Sequence, residues 1–459
     1  MKTLLLVALA ALSFGLLTAC DDGGEGAGPR ASSEAPAASP QATPGVGLGK
    51  IAYVQNGDIW VKALPDGEPL RLTDDGVNSE PRWSPSGDWL AFRKGDSQVW
   101  VMRADGTAAH LLNDGAAATA FAWAPASDRL AFVAGGALIA VDADGSNRKE
   151  LVAAGNGRPG TGVLNAAWSP DGEWLAYDRE DREVIPQGAQ DGRLPERYAS
   201  LWRIRADGSD ASELLNAGTP SDHGLLVAGW SPDAQHVLFW TDPHFSASGM
   251  ADGLALYAIP ASGGEPRELA QGTLLHADFL VPGPSDVDKV AAVVGRYRGA
   301  WMSKVLHVLS PSTGQDETLT PPDLAVSSPA WSPDGQQIAY VAMPDGGDLV
   351  GGEPAREGLM QRHIFVANTE GEPQPRQLTD DPAYRDEYPL GLADGASVLF
   401  ARIDAEDRAS LWLVPAAGGE PRRVLDALSP PPEPAPSWLG YYGHVDWDKL
   451  LDWWRGPGG

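Results

Sequence analysis

Short apolar runs recur along this chain, most of them three to five residues long and each followed within a few positions by Gly, Pro or Asp. Eight of them are alike: Ile51-Ala52-Tyr53, Leu90-Ala91-Phe92, Leu130-Ala131-Phe132, Leu175-Ala176-Tyr177, Val237-Leu238-Phe239, Val290-Ala291-Ala292, Ile338-Ala339-Tyr340 and Val398-Leu399-Phe400. Runs this short, rich in branched and aromatic residues and bounded by turn formers, read as β-strands. They recur roughly every 40–50 residues, the spacing of a repeat architecture.

The residues around each run define the unit. A segment ending at Trp168 precedes Glu173-Trp174-Leu175-Ala176-Tyr177. A variable loop then leads to Leu201-Trp202-Arg203-Ile204, the turn Ala206-Asp207-Gly208 and a last short run, Glu213-Leu214-Leu215. Four short strands per unit are what a propeller blade requires. The Asp-Gly pairs suit tight hairpins, because such turns need positive φ, which Gly adopts without strain and Asp tolerates.

An aromatic anchor precedes most second strands. Trp83, Trp123, Trp168, Trp230 and Trp331 are clear, Phe279 is a substitute, and Gly391 stands at the eighth anchor position. The first unit has no anchor before it, whereas Ser437-Trp438-Leu439-Gly440 is an anchor strand with no unit after it. The expectation is an all-β chain whose residues 48–440 form a single propeller of eight four-stranded blades. Trp438 would supply the inner strand of the first blade, and closure would remove exposed sheet edges. Seven blades with one degenerate unit is the alternative. The tail, 441–459, mixes Val445, Leu450, Leu451, Trp453 and Trp454 with charged residues and predicts a short amphipathic helix capped by Asp446.

Two intact Trp-Ser-Pro-Asp-Gly strings, at Trp168–Gly172 and Trp331–Gly335, and the paired Leu-Thr-Asp-Asp runs, Leu72–Asp75 and Leu378–Asp381, give the repeat its character. In these motifs the chain resembles the TolB-type propellers of bacterial envelopes over residues 50–440. The resemblance implies a non-enzymatic module that binds a protein or peptide. Related propellers form the non-catalytic half of prolyl-oligopeptidase-like enzymes, whose hydrolase domain carries a Gly-x-Ser-x-Gly elbow. The sequence contains no such elbow. Other propellers of this repeat type are lyases acting on acidic sugars through a His-bound metal, which is the enzymatic alternative.

Residues 1–19 read as a secretory leader: Lys2, then an apolar run from Leu4 to Leu17 that is short for a membrane span. Leu17-Thr18-Ala19-Cys20 resembles the lipobox of bacterial lipoproteins, so Cys20, the sole cysteine, is the expected lipid attachment site. Residues 20–47 are rich in Gly, Ala, Ser and Pro and read as a disordered tether. Some 27 flexible residues reach roughly 30 Å. An extracytoplasmic, lipid-anchored monomer follows as the expectation.

Composition adds exclusions. The formal net charge is −28, and removing Lys2 with the leader makes it one unit more negative. Such a surface disfavours nucleic acid and anionic lipid. No cofactor is expected from the motifs present.

In a four-stranded meander, the first-to-second and third-to-fourth connections lie on one face, and here they are short Asp-Gly turns. The second-to-third connections (178–200, 241–253 and 343–362) and the blade-to-blade connections lie on the other. That long-loop side is the expected binding face. Its candidates are Glu80, Asp222, His223, Asp242, His244, His276, Arg296, Tyr297, Arg298, Trp301, Asp386 and Glu387. His223, His244 and His276, with Asp222, Asp242 and Asp278, are the residues that would suit a divalent ion, although none has tight ligand spacing. The Arg296-Tyr297-Arg298 cluster with Trp301 suits a carboxylate or a stacked ring. A purely structural envelope role is the third function class.

Overall fold

Ser169 follows Trp168 and is fully buried. Its hydroxyl hydrogen-bonds the Asp171 carboxylate and accepts the Trp174 amide N–H at 2.9 Å. Asp171 accepts the Glu173 amide, also at 2.9 Å, and Gly172 takes φ +71°. Ser231 with Asp233 and Ser332 with Asp334 repeat the arrangement. These strings therefore build turns.

The computed structural model describes residues 48–459 apart from 114, 156–160, 185–194, 348–352, 372–373, 392–394, 431–437 and 457–459. The leader, Cys20 and the tether lie outside the described residues. Gly47–Gly459 forms one compact unit. Among the described residues the strands make seven sheets, six of four strands and one of eight. The eight-stranded sheet consists of two meanders joined by the single pair Thr273–Val294. The fold is all-β and propeller-like, with two short helices, Ala247–Asp252 and Glu353–Leu359, carried in long loops.

All eight apolar runs lie in strands, each second from the inner edge of its meander. Five inner strands, Asn78–Trp83, Ala118–Trp123, Gly162–Trp168, Gly224–Trp230 and Leu324–Trp331, end on the anchor tryptophans. Each anchor after the first stitches its unit to the preceding inner strand. The indole N–H of Trp123 donates to Arg82 O at 3.0 Å, Trp168 to Ala122 O at 3.1 Å, Trp230 to Ala167 O at 3.0 Å and Trp331 to Val281 O at 2.9 Å. The Leu-Thr-Asp-Asp runs serve a similar purpose: Thr73 and Thr379 each accept an amide from the third strand, Ile59 or Ile364, at 2.9 Å.

The C-terminal segment departs from expectation in two ways. The strand completing the first sheet is Leu451–Trp454, which runs antiparallel to Lys50–Gln55, and Trp438 plays no part in it. Trp438 sits in a turn, buried, with its ring stacked on Trp447 at 4.9 Å. Leu451 and Trp453 point into the core. Asp452 accepts the Trp83 amide at 2.7 Å, and the Trp453 indole donates to Leu48 O at 2.8 Å. The second departure is the absence of an α-helix. After a Tyr441–His444 bridge, the helical turn among the described residues of the tail is the 3₁₀ segment Trp447–Lys449, which Asp446 precedes without a side-chain cap. Adjacent bulky aromatics suit a half-buried pleated surface, and the unpaired edge of Lys50–Gln55 supplies the hydrogen bonds a short isolated helix would lack.

Candidate functional site

The long-loop residues fall into two groups. Asp222 is exposed and pairs with its neighbour His223. Asp242 is buried and accepts the amides of His244 at 3.1 Å and Ser246 at 2.6 Å, starting the Ala247–Asp252 helix; His244 itself is exposed. Arg296 and Tyr297 are exposed, and Arg298 grips Asp252 through two 2.8 Å hydrogen bonds. Beneath that loop, fully buried Lys304 donates to the carbonyls of Arg296 and Tyr297 at 2.9 Å and Met302 at 3.1 Å. Burial lowers its pKa to about 8. Three carbonyls match the three donors of an ammonium, which lets a charge sit there.

Others expected at an open face are enclosed. Trp301 is 5% exposed and packs with Ala325, Met343, Ala355 and Leu359, so it offers no stacking platform. Glu80 pairs with Arg93 at 2.8 Å. Asp386 has no exposed surface and is gripped by Arg402 at 2.6 Å. Buried Glu387 holds both Arg362, at 2.6 Å, and Arg385. Burial alone would raise the Glu387 pKa, but the two guanidinium groups outweigh it and hold the carboxyl below its ordinary value. The pair Asp386-Glu387 reads from the sequence as part of the binding face because no pattern there shows which arginines reach it.

That network reaches the C-terminal segment. Arg362 donates to Gly443 O at 2.7 Å, Arg385 to Trp438 O at 2.8 Å and Ala300 N to Tyr442 O at 2.9 Å. On the other side, Arg82 bonds both the carbonyl and the carboxylate of Asp448. The segment is thus held by several different units through its main chain.

At its middle the segment brings His444 and Asp446 to His276. The imidazoles of His276 and His444 stack with centroids 3.7 Å apart. His444 Nε2 lies 2.7 Å from Asp278, which also accepts the Ser328 hydroxyl. His444 Nδ1 is 3.5 Å from Asp446, and His276 Nδ1 is 3.9 Å from the same carboxylate oxygen. Burial opposes a charge on His444, yet Asp278 outweighs it and lifts the pKa to about 9. Burial, reinforced by His444, depresses His276 to about 4. Among the described residues this is where His, Asp and Glu side chains converge closely enough to share an ion; His223 and His244 are not part of it. Sequence reasoning found His276 but missed His444 and Asp446. Polar residues interleaved with tryptophans in the tail were the available signal.

A cavity of about 970 Å³ lies on the opposite, short-turn side. Its walls are the ends of inner strands, including Pro282–Pro284, Trp331–Pro333 and Pro389–Leu390, and Asp278, Tyr388, Asp448 and Arg455 also line it. At Gly391, where an anchor Trp was missing, an added side chain would meet Arg455. The missing aromatic leaves room for that arginine.

No protein-family model matches the chain. An uncharacterised protein of Agrobacterium fabrum is 32% identical over 142 residues, 27% of this chain, and the match spans about half (47%) of that protein. Similar solved structures include the dipeptidyl peptidase 4 of Porphyromonas gingivalis (13% identity, TM-score 0.52, 81% of this chain and 57% of that one). They also include a Bacteroides ovatus protein assigned as a dipeptidyl aminopeptidase IV (13%, 0.51, 83% and 59%). An Agrobacterium tumefaciens protein assigned as TolB aligns at 14% identity over 82% of this chain and 87% of its own, with a TM-score of 0.34. The chain spans well under two thirds of the two peptidases it resembles. At such identities the likeness concerns the fold alone.

Proposed function

We propose that this protein is a lipid-anchored, extracytoplasmic lipoprotein whose propeller, eight blades closed by Leu451–Trp454, is a non-enzymatic binding or scaffold module for a protein or peptide. The observation carrying this reading is how the molecule treats its own tail. Arg82, Arg362, Arg385 and the Ala300 amide hold residues 438–448 through main-chain carbonyls, as they would hold any extended peptide. The tail occupies that place, so an external segment has the cavity on the short-turn side, where proline and tryptophan walls alternate with polar groups, Arg455 and Asp448 among them.

A photo-cross-linking residue at Ser285, on the cavity wall, and another at Thr313, outside it, test the reading in the protein's own envelope. A discrete protein or peptide adduct from position 285 and none from 313 is expected. Equal adducts from both, or none from 285, would remove the cavity as a docking site and leave a structural role.

A further inference from the structure

We propose that His276, His444 and Asp446 form a binding site for one divalent transition-metal ion, of the kind that imidazole and carboxylate ligands select, and that the ion clips the C-terminal segment to the ring. One ligand atom from each residue lies within 4.8 Å of the other two. Bound to a common ion at roughly 2.0–2.2 Å, such atoms would sit about 3–3.5 Å apart, so side-chain rotation and a contraction of about 1 Å complete the site. Two imidazoles and a carboxylate suit Zn²⁺, Fe²⁺ or Mn²⁺, with open positions for water.

The second observation is a poorly satisfied atom. His444 is 5% exposed, and its buried Nδ1 makes no well-formed hydrogen bond, its partner being the Asp446 carboxylate 3.5 Å away. A buried polar atom so poorly satisfied calls for a reason. The other ring nitrogen, Nε2, is fixed by Asp278 at 2.7 Å, and Asp278 is fixed in turn by Ser328. A carboxylate on one imidazole nitrogen orients the ring and, once an ion displaces the Nδ1 proton, leaves that nitrogen to the metal. Asp446 is prepared in the same way: one of its oxygens faces the two histidines, while the other receives the Lys449 ammonium at 2.7 Å. Its side chain is 42% exposed, which gives an ion a way in.

The topology gives the ion its role. His276 belongs to the ring, just before Ala277–Phe279, whereas His444 and Asp446 belong to the tail that runs on into the strand Leu451–Trp454. A shared ion would tie the two together next to the first sheet's closing strand.

Full-length protein in detergent, stripped with chelator, is titrated with Zn²⁺ and, separately, Co²⁺, and bound metal is counted after dialysis. One equivalent is expected, with Co²⁺ giving a visible absorption band and hydrogen exchange slowing across residues 438–450. His276→Gln and Asp446→Asn should each weaken binding at least tenfold, while His223→Gln should leave it unchanged. Both ligand variants keep His444 in its buried place, and their circular dichroism without metal should match the wild type. Less than about 0.1 equivalent bound, binding equal in wild type and both ligand variants, or exchange protection that ignores the metal would each overturn the proposal.

Discussion

Ser169 has no exposed surface, and one hydroxyl serves both ends of its turn by bonding Asp171 and accepting the Trp174 amide. Ser169→Ala should cost about 1–3 kcal/mol, because a buried amide loses its acceptor. Urea denaturation followed by tryptophan fluorescence will read this as a lower midpoint. Asp178 gives a second test at this scale. It accepts Asn165 N, Asn165 Nδ2 and, from the neighbouring unit, Val227 N at 2.7 Å. Burial pushes its carboxyl from 3.8 up to about 7 against those hydrogen bonds. The folded state therefore holds the proton more tightly than the unfolded chain, so the contribution of Asp178 to stability is fully present below its unfolded value and is lost as pH rises through about 7. At about 1.4 kcal/mol per pKa unit, the loss is on the order of 4 kcal/mol. Wild-type stability relative to Asp178→Asn should fall from about pH 5 to about pH 8, and a constant difference would refute the assignment. The turn residues were readable in the sequence because turns are local. The partners of Asp178, 49 residues away at Val227, were not.

The strands were legible one by one, since period, β-branching and turn residues act over a few positions. All eight second strands stand where the apolar runs predicted them. The strand that completes the first sheet was misplaced. Trp438 fits the anchor pattern, but Leu451–Trp454 fits the edge: it alternates inward Leu451 and Trp453 with Asp452, whose carboxylate reaches the Trp83 amide. Local propensity cannot choose between two candidate strands in one tail; the available edge can. Trp453→Ala should therefore cost about 3–5 kcal/mol through lost burial and a cavity. The measurement is an equilibrium melt, accompanied by faster hydrogen exchange in Lys50–Gln55. Unchanged exchange there would contradict the pairing.

For the whole molecule, anchoring and charge are properties of the chain as a unit. On the proposed lipid anchoring, Cys20→Ser should move the protein from the membrane to the soluble fraction on cell fractionation. Persistent membrane association would require another anchor. Turn chemistry, the places of the second strands and the acidic character were all in the sequence, because each is a local pattern or a sum over residues. Tertiary structure alone decided that Asp386 and Glu387 are buried among arginines, that Trp301 is core, and that Asp278 meets His444 across 166 positions. Those outcomes depend on which units the tail crosses on its way to an unpaired edge. That path is set by packing between segments far apart in the chain, about which no short window of sequence carries information.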